Sequence, residues 1–389
     1  MDWMLECSSC GTTLSPEGIP SVCQCGQPWL VRYPTRRWTL EVRDSIGTDP
    51  SRGMWRFREL MPIAPDEDPV TLGEGDTPLL RLARTGQRLG LADLWMKDEA
   101  VNPTGSFKAR GLSAAVTRAR AAGVTRFVIP TAGNAGVAAA AYGASAGIPV
   151  RVYAPDTTPP AILAQIVSFG AELVRLQGHI GDCGKAARAF AAEAKAMDLS
   201  TLREPYRIEG KKTLGIEIAL SMSWELPAAI IYPTGGGTGL IGMWKAFQEL
   251  RTAGWISGAL PRMFSVQSSG CAPVVRAFAA GEGKAEPWAD PWTVASGLRV
   301  PAPLGDRLIL QALAESGGGA IAVSDEELMT EAGMVAREEG IDMSPEGGAA
   351  VAAARQLAAT GSLDSKGRIV VFNTGAGWLY RLPADLLPL

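Results

Sequence analysis

The sequence predicts an α/β protein built on parallel sheet. From residue 72 to 373, apolar strand-like runs alternate with segments of helical periodicity. The predicted strands are almost continuously apolar, which is typical of parallel strands covered by helices on both faces. The 389 residues leave room for two domains and a small appendage.

The individual elements follow from apolar runs and helical periods separated by turn-forming residues. Strands are predicted at 94–97, 126–130, 150–154, 173–176, 228–232, 262–267, 320–323 and 368–373. The clearest helices between them are predicted at 106–121, 135–146, 161–169 and 240–253.

Composition excludes several classes of function. The net charge of -3 gives no electrostatic reason to expect nucleic acid or an anionic membrane as a partner. No apolar run approaches the ~18–20 residues that a membrane span needs, and the first residues lack the pattern of a signal peptide. We therefore expect a cytoplasmic protein. The single histidine, His179, excludes His-triad hydrolases and most His-rich metal sites.

Four of the six cysteines lie in the first 25 residues, as Cys7-x-x-Cys10 and Cys23-x-Cys25. In a reducing compartment, such clustering indicates a metal site rather than disulfides. Four thiolates on two tight turns suit a closed, structural zinc site with no open position for catalysis. Unmetallated thiols are the alternative. The other two, Cys183 and Cys271, fall in apolar helical patterns and are expected in the core.

A lysine is predicted at the start of a helix. The turn formers Asn-Pro-Thr-Gly at 102–105 precede Ser106, the expected N-cap, so Lys108 falls in the first helical turn. Unpaired N–H groups and the helix dipole there oppose an ammonium charge, which lowers the expected pKa. A neutral amine is what imine formation requires. Phe107 is placed to cover one face of a planar ring. An ordinary surface lysine is the alternative.

The run Asn-Pro-Thr-Gly-Ser-Phe-Lys-Ala-Arg at 102–110 resembles the pyridoxal phosphate (PLP) lysine motif of fold-type II enzymes. It is most similar to the threonine synthase branch, as is Leu-Gly-Glu-Gly-Asp-Thr-Pro-Leu at 72–79. The resemblance implies that Lys108 carries PLP and shuttles protons, with Phe107 near the cofactor ring.

The resemblance extends over nearly the whole chain and implies an architecture like that of the tryptophan synthase β subunit. Two parallel-sheet α/β domains are then expected behind a zinc-ribbon-like segment at 1–34. The large PLP-binding domain is expected at 35–123 and 206–389, and the small domain at 124–205. A homodimer is the family expectation.

A glycine-rich turn is the expected phosphate cradle. It lies between a predicted strand and helix, where backbone N–H groups and the helix dipole attract anions. The predicted contacts are Gly235, Gly236, Gly237, Thr238 and Gly239. The same turn satisfies the dinucleotide pattern G-x-G-x-x-G at 237–242, which needs an acidic residue after the next strand. The sequence has Gln267-Ser268-Ser269 there, so the PLP interpretation is favoured.

Two further loops complete the expected cofactor site. Asn134 follows the strand at 126–130 and either caps the next helix or, as the resemblance implies, contacts the ring hydroxyl. Thr374 follows the last strand, at the sheet edge where ligands bind in open α/β folds. The matching family threonine meets the pyridine nitrogen, which suits elimination and replacement chemistry. An ordinary βα turn is the alternative for Thr374.

The resemblance also implies a reaction, in which O-phosphohomoserine and water give threonine and phosphate. Thr131 and Arg207 match family positions at the substrate, and Arg207 is expected to hold the leaving phosphate. Other positions depart from the family, which has hydroxyls or a lysine where this chain has Ala132, Ala135, Leu202 and Leu379. A PLP-dependent lyase or β-replacing enzyme for a different hydroxy- or β-substituted amino acid is therefore the alternative.

Overall fold

The protein is described by a computed structural model that covers residues 3–34 and 38–381. The predicted domain limits also include residues 1–2, 35–37 and 382–389, which lie outside the described residues. The strands are β1 (Met4–Cys7), β2 (Thr13–Leu14), β3 (Trp29–Arg32), β4 (Leu79–Arg81), β5 (Asp93–Asp98), β6 (Phe127–Pro130), β7 (Val150–Pro155), β8 (Glu172–Leu176), β9 (Met197–Asp198), β10 (Ala229–Pro233), β11 (Arg262–Ser268), β12 (Gly319–Val323) and β13 (Arg368–Asn373).

Helices alternate with most of these strands. They are α1 (Leu40–Thr48), α2 (Ala83–Leu89), α3 (Lys108–Ala121), α4 (Asn134–Ala146), α5 (Pro160–Ser168), α6 (Ile180–Ala194), α7 (Tyr206–Ser221), α8 (Thr238–Thr252), α9 (Pro273–Ala279), α10 (Asp306–Ser316), α11 (Asp325–Glu339) and α12 (Pro345–Ala359). Short 3-10 helices occur at Met54–Leu60, Glu99–Val101, Ser296–Leu298 and Gly377–Tyr380.

Two of the three sheets are parallel, so the predicted α/β class is confirmed. The larger has the order β12-β11-β10-β13-β5-β4, and only its edge strand β4 runs antiparallel to its neighbour. The smaller has the order β8-β7-β6-β9 and is parallel throughout. The chain leaves the larger sheet after α3, builds the smaller sheet, and returns through α7 to β10.

Every predicted strand and helix is found, with ends that differ by at most two residues. One local prediction is wrong, because Phe107 rather than Ser106 is the N-cap of α3. Ser106 forms an isolated β-bridge with Gly375, and its hydroxyl accepts a long 3.4 Å hydrogen bond from the Lys108 amide. The backbone of Ser106 is thus held by the end of the chain, so the helix begins two residues later than predicted.

Helix α3 is packed between α4 and α7, and most of its side chains are buried. Its Arg110 is fully buried, and a guanidinium tolerates this only when its charge and N–H groups are paired. Arg110 bonds to Glu99 at 2.7 Å and to Glu217 at 2.6 Å. Glu217 also pairs with Lys97 of β5 at 2.8 Å. A buried ionic network therefore joins β5, α3 and α7 directly behind the start of α3.

The N-terminal segment forms the third sheet, which is antiparallel with the order β2-β1-β3. Its side chains Leu5, Trp29 and Val31 share a buried cluster with α3 residues such as Leu112. Tyr33, just after β3, donates a 2.6 Å hydrogen bond to Glu209 of α7. The segment is therefore packed onto α3, which carries the lysine motif, and onto α7.

The two remaining cysteines are fully buried, as expected for core residues. Cys183 lies in α6, whereas Cys271 lies in the turn before α9, so its predicted helical setting is wrong. Among residues 3–34 and 38–381, no helix has the length and apolarity that a membrane crossing requires.

Candidate active site

The loops that follow β6, β10 and β13 meet the start of α3 around one cavity, which has an empty volume of about 550 Å³ including its open mouth. Parallel strands bring their carboxyl ends to the same sheet edge, which is where open α/β sheets bind ligands. The cavity is lined by Phe107, Lys108, Asn134, Thr201, Tyr232, Pro233, Gly235, Gly236, Gly237, Thr238, Ser296, Gly297, Leu298, Glu346, Thr374 and Tyr380.

Lys108 is the first residue of α3 and is partly exposed to this cavity. Burial within the protein lowers the pKa of its amine to about 7, and the nearby Arg207 guanidinium acts in the same direction. The Glu346 carboxyl opposes them and raises this pKa. A substantial fraction of the amine is therefore neutral near pH 7, as nucleophilic attack on a carbonyl requires.

Phe107 forms one wall beside the lysine. The centre of its ring lies 4.0 Å from Lys108 Nζ, and the ring meets Tyr232 edge-on at 6.0 Å between centroids. Lys211 Nζ lies 4.3 Å from the same ring centre and donates a hydrogen bond to the Phe107 carbonyl. The ring is thus held between two lysine amines and an aromatic neighbour.

The glycine-rich turn lies between β10 and the N-terminus of α8. A Cβ on Gly235 would lie 2.1 Å from the Gly297 carbonyl oxygen, and one on Gly237 would lie 2.3 Å from Ile309 Cδ1. Gly237 also has a φ of 75°, in the left-handed region. The close packing requires glycine, and the helix N-terminus beside it favours an anion.

Gly239 has a different environment from the rest of this turn. It lies inside α8, where a Cβ would come within 2.0 Å of the Tyr232 hydroxyl, and it is absent from the cavity lining among the described residues. The rival nucleotide interpretation gains no support from the next strand. Gln267, near the end of β11, donates to the Thr234 carbonyl and accepts from the Val274 amide, so its amide is used in holding the loops together.

Asn134 is the first residue of α4, and Gly133 is the N-cap, so the capping alternative for Asn134 is wrong. Its Nδ2 lies 3.5 Å from the Tyr380 hydroxyl, and its Oδ1 is buried without a partner in the described structure. Thr374 lines the cavity, and its carbonyl accepts a 3.1 Å hydrogen bond from the Phe107 amide. Asn134 and Thr374 therefore line the same cavity as Lys108.

The two predicted substrate residues lie outside the lining of this cavity as far as the described residues define it. The Thr131 hydroxyl donates to the Gly133 carbonyl at 2.7 Å and accepts from the amides of Gly133 and Gly136, so it braces its own loop. Arg207 is almost fully buried and donates to the Leu199 carbonyl at 2.6 Å. Its positive charge lowers the pKa of Lys108.

Five polar residues of the lining were not singled out from the sequence, namely Thr201, Tyr232, Ser296, Glu346 and Tyr380. Glu346 accepts hydrogen bonds from the Gly297 amide at 2.7 Å and from the Tyr380 hydroxyl at 3.0 Å. In the sequence, Ser344-Pro345-Glu346 resembles an ordinary helix start with an acid in its first turn. That signal predicts the helix and gives no indication that Glu346 lines a cavity.

The residues present fit PLP on three counts. Lys108 supplies an amine of lowered pKa, and the glycine turn supplies a cradle for a phosphate. Four buried polar atoms near them have no partner among the described residues, namely Asn134 Oδ1, Tyr232 Oη, Ser296 Oγ and Glu346 Oε2. Unpaired buried polar atoms call for a partner, and a polar ring with its substrate provides one.

The four N-terminal cysteines converge as well. The Sγ atoms of Cys7, Cys10, Cys23 and Cys25 all lie within 4.8 Å of one another. Thiolates bound to tetrahedral zinc at ~2.3 Å would be separated by ~3.8 Å, and the measured separations of 3.4 Å (Cys7–Cys25) and 3.7 Å (Cys10–Cys23) are close to this value. The donor set and its spacing therefore fit a zinc ion.

Solved structures of other proteins share this fold. Maize serine racemase matches with a TM-score of 0.67 and 21% identity, over 77% of this chain and 88% of that one. The fungal L-serine ammonia-lyase of Rhizomucor miehei matches with a TM-score of 0.66 and 22% identity, over 79% of this chain and 95% of that one.

Comparison of the sequence reaches further. Residues 70–375 match the profile of the family described as pyridoxal-phosphate dependent enzyme. The threonine synthase of Methanocaldococcus jannaschii is 33% identical over 377 residues, which are 96% of this chain and 92% of that protein. The threonine synthase of Methanosarcina acetivorans is 34% identical over 95% of this chain and 91% of its own length. The chain therefore belongs to the pyridoxal-phosphate dependent enzymes and, within them, to the threonine synthase family.

Proposed function

We propose that this protein is a PLP-dependent threonine synthase, which converts O-phosphohomoserine and water into threonine and phosphate. The observation that carries the proposal is the Lys108 amine, with a pKa of about 7, in a cavity bounded by the glycine turn and the asparagine loop. The full-length similarity to threonine synthases supports the choice of reaction.

Each cofactor contact is assigned to a residue of the lining. Lys108 would hold PLP as an imine, and Phe107 would lie along the ring. The backbone of residues 235–238 would bind the phosphate, with Gly239 setting the geometry of the turn from within α8. Asn134 would contact the ring hydroxyl, and Thr374 would meet the pyridine nitrogen. When bound, PLP supplies an electron sink for carbanions at the substrate.

The protein's own contribution is proton transfer and positioning. Once displaced by the substrate amine, Lys108 would remove the Cα proton, since its lowered pKa keeps a neutral fraction available. Arg207 would attract the anionic leaving group, and Thr131 would hold the loop that carries Asn134. Arg207 Nη1 is bonded to the Leu199 carbonyl, and Arg207 Nε is buried without a partner in the described structure.

The test is an assay of the purified holoenzyme with O-phosphohomoserine in which phosphate and threonine are measured together. Stoichiometric threonine and phosphate are expected. A holoenzyme that releases neither product from O-phosphohomoserine contradicts the proposal. The same assay with serine and threonine, followed for keto acid and ammonia, identifies a lyase instead.

A second candidate is a PLP-dependent lyase or β-replacing enzyme for a different hydroxy- or β-substituted amino acid. A specific observation favours it, since the described lining contains the Glu346 carboxyl and no guanidinium. Ala132, Ala135 and Leu202 also replace hydroxyls of the family pattern. Each phosphate contact left unpaired would cost ~1–3 kcal/mol, which a smaller leaving group avoids.

The remaining assignments belong to the same proposal. The four-cysteine cluster would hold one structural zinc ion, supported by the spacing of its sulfur atoms. The large domain would comprise 35–123 and 206–389 and the small domain 124–205, supported by the separate four-stranded sheet formed within 127–198. We further propose a cytoplasmic homodimer, on the family resemblance.

A further inference from the structure

Glu346 faces the same cavity as Lys108. It lies in the first turn of α12, follows Pro345, and is only 4% exposed. Burial raises the pKa of its carboxyl, although a helix N-terminus ordinarily favours the anion. The cavity therefore contains an amine whose pKa is lowered and a carboxyl whose pKa is raised, and such divergent pairs mark the acid and base of many active sites.

The bonding of Glu346 leaves one oxygen free. Oε1 accepts from the Gly297 amide at 2.7 Å and from the Tyr380 hydroxyl at 3.0 Å. Oε2 is buried and has no partner in the described structure. A buried acceptor without a partner is unfavourable. The fixed oxygen thus orients the group, and the free one is available to a ligand in the cavity.

The groups that surround Glu346 are few. The hydroxyl of Tyr380 bonds to it and also lies 3.5 Å from Asn134 Nδ2. The charge of Glu346 raises the pKa of Lys108, whereas the charge of Arg207 lowers it. The charge of Lys108 in turn lowers the pKa of Lys211, which also lies in α7. Tyr232 of β10 is the remaining titratable group of the lining. Within the described residues, Glu346 forms no ion pair, so no salt bridge stabilises its ionised form.

We propose that Glu346 is a second proton-transfer residue of the site, which serves the side chain of the substrate while Lys108 serves Cα. This inference rests on the proposed threonine synthase function. A Cβ–H bond and the Cγ–O bond break, so that the Cβ–H pair forms a Cβ–Cγ double bond and phosphate departs with the Cγ–O pair and carries away the Cβ proton. The protonated form of Glu346 then gives its proton to Cγ, the Cβ–Cγ pair forms the new C–H bond, and the pair at Cα forms a Cα–Cβ double bond. When water adds, its oxygen bonds to Cβ and the breaking O–H bond returns a proton to Oε2. The electron pair of the Cα–Cβ double bond moves to Cα, where the Lys108 ammonium supplies a proton. The carboxyl ends as it began.

Glu346→Gln is the matched variant, because glutamine keeps an acceptor for the Gly297 amide but transfers no proton. In the holoenzyme we expect kcat for threonine formation to fall by ~10²–10⁴-fold, the usual contribution of a general acid–base group. KM should stay within about threefold. Phosphate release should fall less than threonine formation, with the difference appearing as 2-oxobutanoate and ammonia.

A second readout separates the two residues. Exchange of the threonine Cα proton in D₂O depends on Lys108, so NMR should show it within about tenfold of wild type in Glu346→Gln, well short of the loss in threonine formation. In the apoprotein, the pKa of the Lys108 amine, measured by pH-dependent labelling, should fall, because the variant lacks the carboxyl whose ionised form raises that pKa. Glu327→Gln, another first-turn glutamate outside the cavity, is the control and should change none of these quantities.

Several results would overturn the inference. They are unchanged kcat in Glu346→Gln, equal losses of Cα exchange and threonine formation, or a rise in KM alone. If the wild-type enzyme makes no threonine, the proposed function fails separately. The apoprotein titration then tests the inference by itself. If the pKa of Lys108 is the same in wild type and in Glu346→Gln, Glu346 does not act on Lys108 and the inference is rejected.

Discussion

At the scale of single residues, the chemistry of this site depends on how opposing charges act on Lys108. Burial and Arg207 lower the pKa of the amine to about 7, and Glu346 raises it. A lysine in water has a pKa near ~10.4 and is almost entirely protonated at neutral pH. Burial therefore increases the neutral, nucleophilic fraction of the Lys108 amine, and the charges of Arg207 and Glu346 adjust the size of that fraction.

The pH dependence of cofactor capture checks this balance. Imine formation by the apoprotein with added PLP should accelerate over about one pH unit on either side of the Lys108 pKa, as the neutral amine increases. Arg207→Gln removes a cation that disfavours the ammonium, so the pKa should rise and the profile should move to higher pH. Rapid-mixing absorbance of the imine gives both profiles.

Arg175→Gln, at an exposed arginine of β8 outside the cavity lining, is the control and should leave the profile in place. Lys108→Ala should give no imine absorbance at any pH. A visible imine band in Lys108→Ala protein without added amine would reject Lys108 as the PLP lysine.

At the scale of elements, the site depends on turns that bring backbone close to backbone. Gly235 lies against the Gly297 carbonyl, in the same 3-10 segment whose amide holds Glu346. The turn after β10 thus supports both the phosphate cradle and the orientation of the carboxyl. A change in this turn should affect the cofactor before it affects the fold.

Gly235→Ala tests the cradle. The added Cβ would meet the Gly297 oxygen at 2.1 Å, and overpacking of this kind costs ~1–3 kcal/mol. We expect PLP to bind about 5-fold to about 150-fold more weakly, as a penalty of this size implies, measured by absorbance titration of the apoprotein. Gly283→Ala, where a Cβ meets nothing within 4 Å, should bind PLP like wild type. Equal affinity in both variants would count against the cradle.

The N-terminal sheet gives a second prediction at this scale. Elemental analysis should find one zinc ion per chain, since the four sulfur atoms form one closed set. Cys10→Ser should lose the metal and lower the melting temperature, because structural zinc contributes directly to folding. Cys183→Ala, in α6, should keep the metal. Zinc retained by Cys10→Ser at full stoichiometry would exclude the four-cysteine site.

At the scale of the whole molecule, the buried network of Arg110 joins parts of the chain that are far apart in sequence. Burial opposes the ionisation of Glu217, but Arg110 and Lys97 outweigh it and lower the pKa of Glu217 to about 2. Because this pKa is lowered on folding, the ionised carboxylate stabilises the folded state above its ordinary pKa of 4.5. That stabilisation is lost as the pH falls toward 2.

Urea unfolding over a pH series checks this contribution. The free energy of unfolding of wild type should decrease as the pH falls from about 5 to about 2. Glu217→Gln should lower it by ~3–5 kcal/mol at pH 7, because Arg110 loses a buried partner, and should decrease less steeply in acid. Glu286→Gln, an exposed carboxyl, is the control. An identical acid slope in Glu217→Gln and wild type would contradict the assignment.

Much of this protein could be predicted from local patterns in its sequence. The strand and helix positions, the lysine at the start of α3, the glycine turn and the cysteine pairs are each encoded within a few consecutive residues, by periodicity, turn formers and spacing. The prediction that Ser106 is the N-cap of α3 was wrong, because a β-bridge to Gly375, far along the chain, holds the backbone of Ser106.

What only the tertiary structure decided is which side chains share the cavity. Glu346 meets Gly297 across 49 residues, and Asn134 meets Tyr380 across 246. No local pattern encodes such contacts, since they arise when parallel strands bring distant loops to one sheet edge. The sequence by itself predicted a lysine at the start of a helix, PLP as the cofactor and the α/β fold that places both. Packing decided that a carboxyl faces that lysine, and that Arg207 acts on it from behind the cavity wall.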